Sequence, residues 1–120
     1  MASRREKLIE GARPYVEEGE QVRYVASGQT GAPQGLLGAA AIVTGQAKQR
    51  RVVVTEANIY VLAGDFWGTS KSKGLIAKHP IGSIPIALRG RALTVGDERI
   101  WVHPFAEGDA REIASLSAGR

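Results

Sequence analysis

Residues 50–62 run Arg-Arg-Val-Val-Val-Thr-Glu-Ala-Asn-Ile-Tyr-Val-Leu. Two β-branched and aromatic runs, RRVVVT and IYVLAG, flank a short polar break at Glu56-Ala57-Asn58, and side chains of this kind fit a pleated, buried surface. The stretch predicts a β-hairpin from Arg50 to Gly64. A second hairpin follows from Gly96-Asp97, the two central residues of a type II′ turn, which sets Val95 opposite Glu98, Leu93 opposite Ile100 and Arg91 opposite Val102. Leu93, Val95, Ile100 and Val102 then share one face. Trp101 lies opposite Ala92 on the other, where it is expected in a core or against a helix.

Outward from these hairpins the period stays at two. Val22, Tyr24 and Ala26 alternate with Arg23, Val25 and Ser27, which predicts a first strand. Residues 28–46 break the pattern with five glycines around a small-residue apolar stretch and read as a long connection. Gly68–Gly74, GTSKSKG, reads as a polar, basic loop. Leu75–Leu88 has strand composition interrupted by Pro80, Gly82 and Pro85, so two short edge pieces are expected in place of one central strand.

The two ends are helical. Ser3 and Glu6 form a capping box, and Leu8, Ile9, Ala12, Tyr15 and Val16 fall on one side at helical spacing. Pro14 should end that helix near Arg13 and open a short turn that stops at Gly19. At the other end Asp109 is expected to cap a helix, with Glu112 in the reciprocal position, Ala110, Ile113, Ala114 and Leu116 as its apolar stripe and Gly119 as its stop. The order is helix, six or seven strands, helix. Strands without intervening helices rule out a doubly wound α/β fold. The expected fold is mainly β: a partly open antiparallel barrel plugged at one end by the last helix. Residues 1–19 form the helical segment and residues 20–118 the barrel domain.

Composition narrows the chemistry. The 120 residues, 43% apolar and 23% charged, suffice for one domain with one core. Without cysteine the chain has neither a disulfide framework nor a thiolate zinc site, and it fits a reducing, cytoplasmic setting. The N-terminal residues Met1 to Lys7 lead into mixed polar sequence and give no apolar export signal. Residues 35–43, GLLGAAAIV, are far shorter than the roughly 20 residues of a spanning helix. The net charge of +4 is concentrated between residues 23 and 91, where nine basic residues face only Glu56 and Asp65. Such a surface attracts polyanions, either nucleic acid or an anionic lipid face, unless it is simply a solvated basic face.

Four segments in this order resemble a known group. RRVVVTEANIYVL resembles a bacterial signature in which a strand ending in Thr turns tightly into an Ile-Tyr-Val-Leu strand. PYVEEGEQV resembles the Gly-Glu approach to the first strand, HPIGSIPIAL the start of the second sheet, and the chain ends in one helix. Together they resemble the bacterial pleckstrin-homology-like domains of the YokE-like and GRAM-like kind, over residues 14–118. The resemblance implies two antiparallel sheets of seven strands in all, a C-terminal amphipathic helix, and a binding module with no cofactor.

Three constellations compete as sites. Lys48, Arg50 and Arg51 can grip a phosphate through guanidinium forks and a lysine point charge, or else form a charged strand edge that discourages aggregation. Leu36, Leu37 and Ile42 can dip into a membrane beside that basic run, or else fold back into the core or against another subunit. Phe66 and Trp67 beside Lys71 and Lys73 offer two rings and two cations for single-stranded nucleic acid, or else a tryptophan packed at the barrel mouth. No nucleophile, base and carboxylate stand at catalytic spacing, and His79 and His103 precede prolines at strand ends. No phosphate-binding loop of Walker type and no dinucleotide fingerprint occurs.

The expected function is therefore non-catalytic: a cytoplasmic module, in part peripheral to the membrane, that binds a protein partner or an anionic lipid surface. Nucleic-acid binding through Arg50, Arg51, Lys71, Lys73 and Trp67 is the alternative. Homo-oligomeric assembly through the Gly/Ala segment is a third expectation.

Overall fold

A computed structural model of the chain describes residues 4–30, 49–64 and 72–117. Helix α1 (Arg4–Ala12) passes into a 3₁₀ turn at Arg13–Tyr15, with Pro14 supplying the break that the sequence predicts. The strands are β1 (Val22–Gln29), β2 (Gln49–Thr55), β3 (Asn58–Gly64), β4 (Ser72–Pro80), β5 (Ile86–Arg89), β6 (Ala92–Val95) and β7 (Glu98–Val102). A 3₁₀ turn at Pro104–Ala106 leads into helix α2 (Glu107–Ala114). The strands form one antiparallel sheet in the order β4-β3-β2-β1-β7-β6-β5. It is an open sheet whose two edges are β4 and β5, with a helix at each end of the chain.

Both predicted hairpins are present, and the second stands in the predicted register. In the first, Val54 faces Ile59 and Val52 faces Val61. In the second, Val95 faces Glu98, Leu93 faces Ile100 and Ala92 faces Trp101. Gly96 has φ +59° and no residue other than glycine has a positive φ among the described residues, the pattern of a type II′ turn. The two edge pieces expected around Pro80 and Pro85 are β4 and β5. β4 begins at Ser72, however, so the end of the segment expected to be a loop is strand.

Val52, Val53 and Val54 are all completely buried, because β2 is covered on both faces. On the concave face Ala26, Val52, Val54, Ile59, Leu93, Ile100 and Val102 pack with Ala110 and Ile113 of α2. On the convex face Val25, Val53, Tyr60 and Leu62 pack with Leu8 and Ala12, which lie one turn apart on α1. Each such fully buried Val, Leu or Ile side chain contributes about 1.5–3 kcal/mol of transfer free energy. An uninterrupted apolar run is the composition a doubly covered strand requires. Helix α2 lies across β1 and β5. Just past its end the Ser117 hydroxyl accepts the Ile86 N–H at 2.8 Å, so the β5 edge is partly satisfied by the helix tail.

Asp109 does not cap α2. The helix starts two residues earlier, its N-cap position is Ala106 without a side-chain cap bond, and Asp109 lies in the first turn. Its Oδ2 accepts the Val25 N–H at 2.9 Å and the Arg5 Nε–H at 2.8 Å. Arg5 in turn donates to the Arg23 carbonyl at 2.6 Å, beside the irregularity in β1 between Val22 and Tyr24. The carboxylate therefore ties both helices to the first strand instead of closing its own helix. Glu112 is exposed. The Ser3 half of the N-terminal capping box and the Gly119 stop lie outside the described residues.

Candidate functional site

The antiparallel meander brings several chain connections to one end of the sheet. Gln29 pairs with Gln49 and Gly64 pairs with Ser72, so residues 30–48 and 65–71 both leave and rejoin the sheet there. The β6–β7 turn reaches the same end: Glu98 Oε2 lies 3.8 Å from Arg50 Nε. Of the predicted site residues, Lys48, Leu36, Leu37, Ile42, Phe66, Trp67 and Lys71 lie outside the described residues. Lys73 is placed in β4 by its backbone.

Arg50 and Arg51 are described, and adjacent residues on a strand project to opposite faces. Arg50 shares the concave face with Val52 and Val54. Its side chain is 15% exposed, its Nη1 donates to the Gln49 carbonyl at 3.0 Å, and its buried Nε has no hydrogen-bond partner. Arg51 lies on the convex face and is buried; the guanidinium passes Gly64, where a Cβ would sit 3.5 Å from its Nε. The two guanidiniums face different surroundings and do not converge on one point. Trp101, expected in a core or against a helix, is half-buried, with the Arg99 guanidinium 5.2 Å from its ring centre.

The opposite end of the β2–β3 hairpin holds a dense polar cluster. Glu20 accepts hydrogen bonds from the Thr55 hydroxyl, from Asn58 Nδ2 at 3.0 Å and from the Tyr60 hydroxyl at 2.9 Å. Burial pulls the Glu20 carboxyl up, but the bonds from Thr55, Asn58 and Tyr60 together outweigh it and hold the group below its ordinary range. Burial pushes the Tyr60 phenol up, and its bond to Glu20 adds to that shift. The Tyr60 oxygen also accepts the Glu17 N–H at 3.2 Å, and Glu17 pairs with Lys78. That hydrogen bond raises the Lys78 ammonium above its ordinary value. These groups satisfy one another and fasten the start of β1 to the hairpin.

A third feature is the gap between the two sheet edges. A cleft of about 430 Å³ lies there, lined by Val61, Ile76, Ala77 and His79 on one side and by Ile84 and Val95, among others, on the other. Leu75 and Ile76 on β4 are 48% and 41% exposed. The sequence marks Leu75–Leu88 as edge-strand material but does not single out Leu75 and Ile76 as a site, although Leu75-Ile76-Ala77 between Lys73 and Lys78 carries an apolar signal bounded by charges. Among the described residues no three His, Asp or Glu side chains gather as metal ligands would, and no helix is long and apolar enough to cross a membrane. No known family model, curated protein or solved structure matches the chain.

Proposed function

We propose that the chain is a pleckstrin-homology-like binding module that works by contact with a protein partner. The strand order supports this reading, since a four-strand half and a three-strand half meet at β1 and β7 with a C-terminal helix across β1 and β5. That order agrees with what the resemblance over residues 14–118 implies. The observation that carries the proposal is the pair of half-exposed apolar side chains, Leu75 and Ile76, on an edge strand beside a cleft. Apolar surface rimmed by polar residues is the common mark of an interaction site. A photo-crosslinking amino acid placed in turn at exposed positions around the molecule, in living cells, tests it. Discrete adducts of defined mass from neighbouring positions are expected, and an empty scan over the whole surface would remove the protein partner.

A second reading, attachment to an anionic membrane, is favoured by the sheet end at which residues 30–48 and 65–71 are anchored together. Those connections carry Lys48 and Lys71 with Leu36, Leu37 and Ile42, the mix of cations and apolar side chains that peripheral membrane binding uses. Sedimentation with phosphatidylserine vesicles should then pellet the protein and sedimentation with phosphatidylcholine vesicles should not. Equal pelleting with both, or none with either, would remove this reading.

A further inference from the structure

We infer that the convex face of the β5-β6-β7 half of the sheet binds single-stranded nucleic acid, with Arg89 and Arg99 meeting phosphates and the Arg99–Trp101 stack supporting a base. This surface is independent of the protein-binding and membrane readings above, since it lies on a different face of the molecule and takes a different class of ligand. Ile86, Leu88, Leu93, Val95, Ile100 and Val102 of these strands all pack into the concave core. The residues that alternate with them, Ala87, Arg89, Ala92, Thr94, Arg99 and Trp101, therefore share the convex face. On that side of the sheet helix α1 places Leu8 and Ala12 over β1, β2 and β3, and helix α2 packs on the opposite side. Ala87, Arg89 and Arg99 are exposed.

The pairing register arranges this face in two rows. Arg89 pairs with Ala92, Ala92 with Trp101 and Trp101 with Gln29, while Ala87, Thr94 and Arg99 form the row beside them. Ala92 is small and buried, which lets the neighbouring indole lie close to the sheet. Trp101 is half-buried there, and the Arg99 guanidinium lies 5.2 Å from its ring centre. Cation–π attraction holds a guanidinium on an indole without consuming its hydrogen-bond donors. Arg99 can therefore take a base on the side away from the ring and keep its N–H groups for a phosphate. Arg89 stands two interstrand spacings from Trp101, about 10 Å, with only Ala92 between them, so one short stretch of a strand can touch both.

Charge and ring together decide the occupant. Arg89, Arg99 and the exposed Arg91 of the β5–β6 turn form no ion pair with a carboxylate among the described residues. Both acids of this half stand at its β6–β7 end, where Glu98 faces the concave side beside Arg50 and Asp97 sits in the turn. The convex face is thus basic, with Asp97 at its margin. An acidic peptide would satisfy the arginines and leave the Arg99–Trp101 stack unused. An anionic membrane calls for apolar side chains that stand out from the surface, whereas the floor between the arginines is Ala87, Ala92 and Thr94. A single nucleic-acid strand supplies both phosphates and open base faces, and a duplex keeps its base faces inside the stack.

The test is fluorescence anisotropy of the full chain with a labelled oligothymidylate of about 12 nucleotides, beside its duplex with oligoadenylate and a polyglutamate of equal charge. The single strand should bind at least about tenfold more tightly than either of the others. Arg89→Ala and Arg99→Ala, both at exposed positions, should each weaken that binding and reduce the slope of log affinity against log salt by about 0.7. Trp101→Leu should weaken it about fivefold or more with the slope unchanged. Arg111→Ala, on the exposed side of α2, should change neither. In a Trp67→Phe chain, where Trp101 is the remaining tryptophan, the oligonucleotide should quench the fluorescence. Absence of binding at low salt, equal affinity for the duplex or the polyglutamate, or binding indifferent to both arginine variants would overturn the inference. Pelleting with phosphatidylserine vesicles that the same arginine variants abolish would overturn it too and give this face to anionic lipid. The arginine variants decide the matter even where Trp101→Leu lowers the thermal midpoint.

Discussion

Thr55 is fully buried, and its hydroxyl donates to Glu20, with the Asn58 carbonyl a second acceptor at 3.4 Å, and accepts the Ala57 and Asn58 amides at 3.2 and 3.1 Å. Thr55→Val keeps the shape but leaves those amides and the Glu20 carboxylate without their partner. We expect a loss of about 2–3 kcal/mol, measured by urea denaturation at neutral pH. Glu20 links the same cluster to pH. Its folded carboxyl titrates below its ordinary range, so its contribution is complete above that range and fades as the pH falls through it toward the lowered folded value. Stability of the parent chain should therefore decline on acidification more steeply than that of Glu20→Gln, and parallel declines would remove Glu20 from this role. Asp109 is a second single-residue joint, since one carboxylate oxygen serves both Val25 and Arg5. Asp109→Ala strands a buried strand amide and should lose about 2 kcal/mol. Asp109→Asn retains an acceptor and should lose less.

Among the elements, the joint between the two halves of the sheet is the narrowest. β1 and β7 pair only through Gly28 with Val102 and Gln29 with Trp101, helped by the His103 N–H to the Ser27 carbonyl at 2.9 Å. A Cβ on Gly28 would lie 2.1 Å from the Trp101 carbonyl oxygen and 2.8 Å from an Ile100 methyl. Backbone must move to admit it. Gly28→Ala should cost about 2 kcal/mol or more, with amide exchange accelerating first in β7 and the last residues of β1. This joint was hidden in the sequence, where Gly28 looked like the first residue of a connection; what fixes it is an approach by residues more than seventy positions away. The hairpins were legible for the opposite reason: Gly96-Asp97 sets register locally, and the short polar break at Glu56-Ala57 marks a tight turn between two apolar runs. The α2 start was misjudged because Asp109, a good cap by composition, is claimed by partners 84 and 104 residues distant. β4 was shortened because Ser72 and Lys73 have loop chemistry, and only pairing with Gly64 and its neighbours makes them strand.

At the scale of the whole molecule, one sheet carries two cores. Leu8 and Ala12 cover its convex face and Ala110 and Ile113 its concave face, with β1, β2 and β3 shared between them. The sequence showed both helices as amphipathic, but not that they would lie on opposite faces of the same strands. The triple valine was the one clue to double coverage. The site was less legible than the fold for a related reason: charge and apolarity are visible along a chain, whereas a free strand edge exists only once the other strands have found their neighbours. Shared strands also bear on whether residues 1–19 stand apart from the rest. If α1 is part of one cooperative unit, Leu8→Ala and Ile113→Ala should each shift a single unfolding transition by about 2–4 kcal/mol. The residues contact different layers, so the double variant should lose the sum to within about 0.5 kcal/mol. Far-ultraviolet circular dichroism and tryptophan fluorescence should then trace the same curve in all four proteins. A separate early transition in Leu8→Ala, with the fluorescence midpoint unmoved, would mean that the first helix docks on a sheet already complete without it.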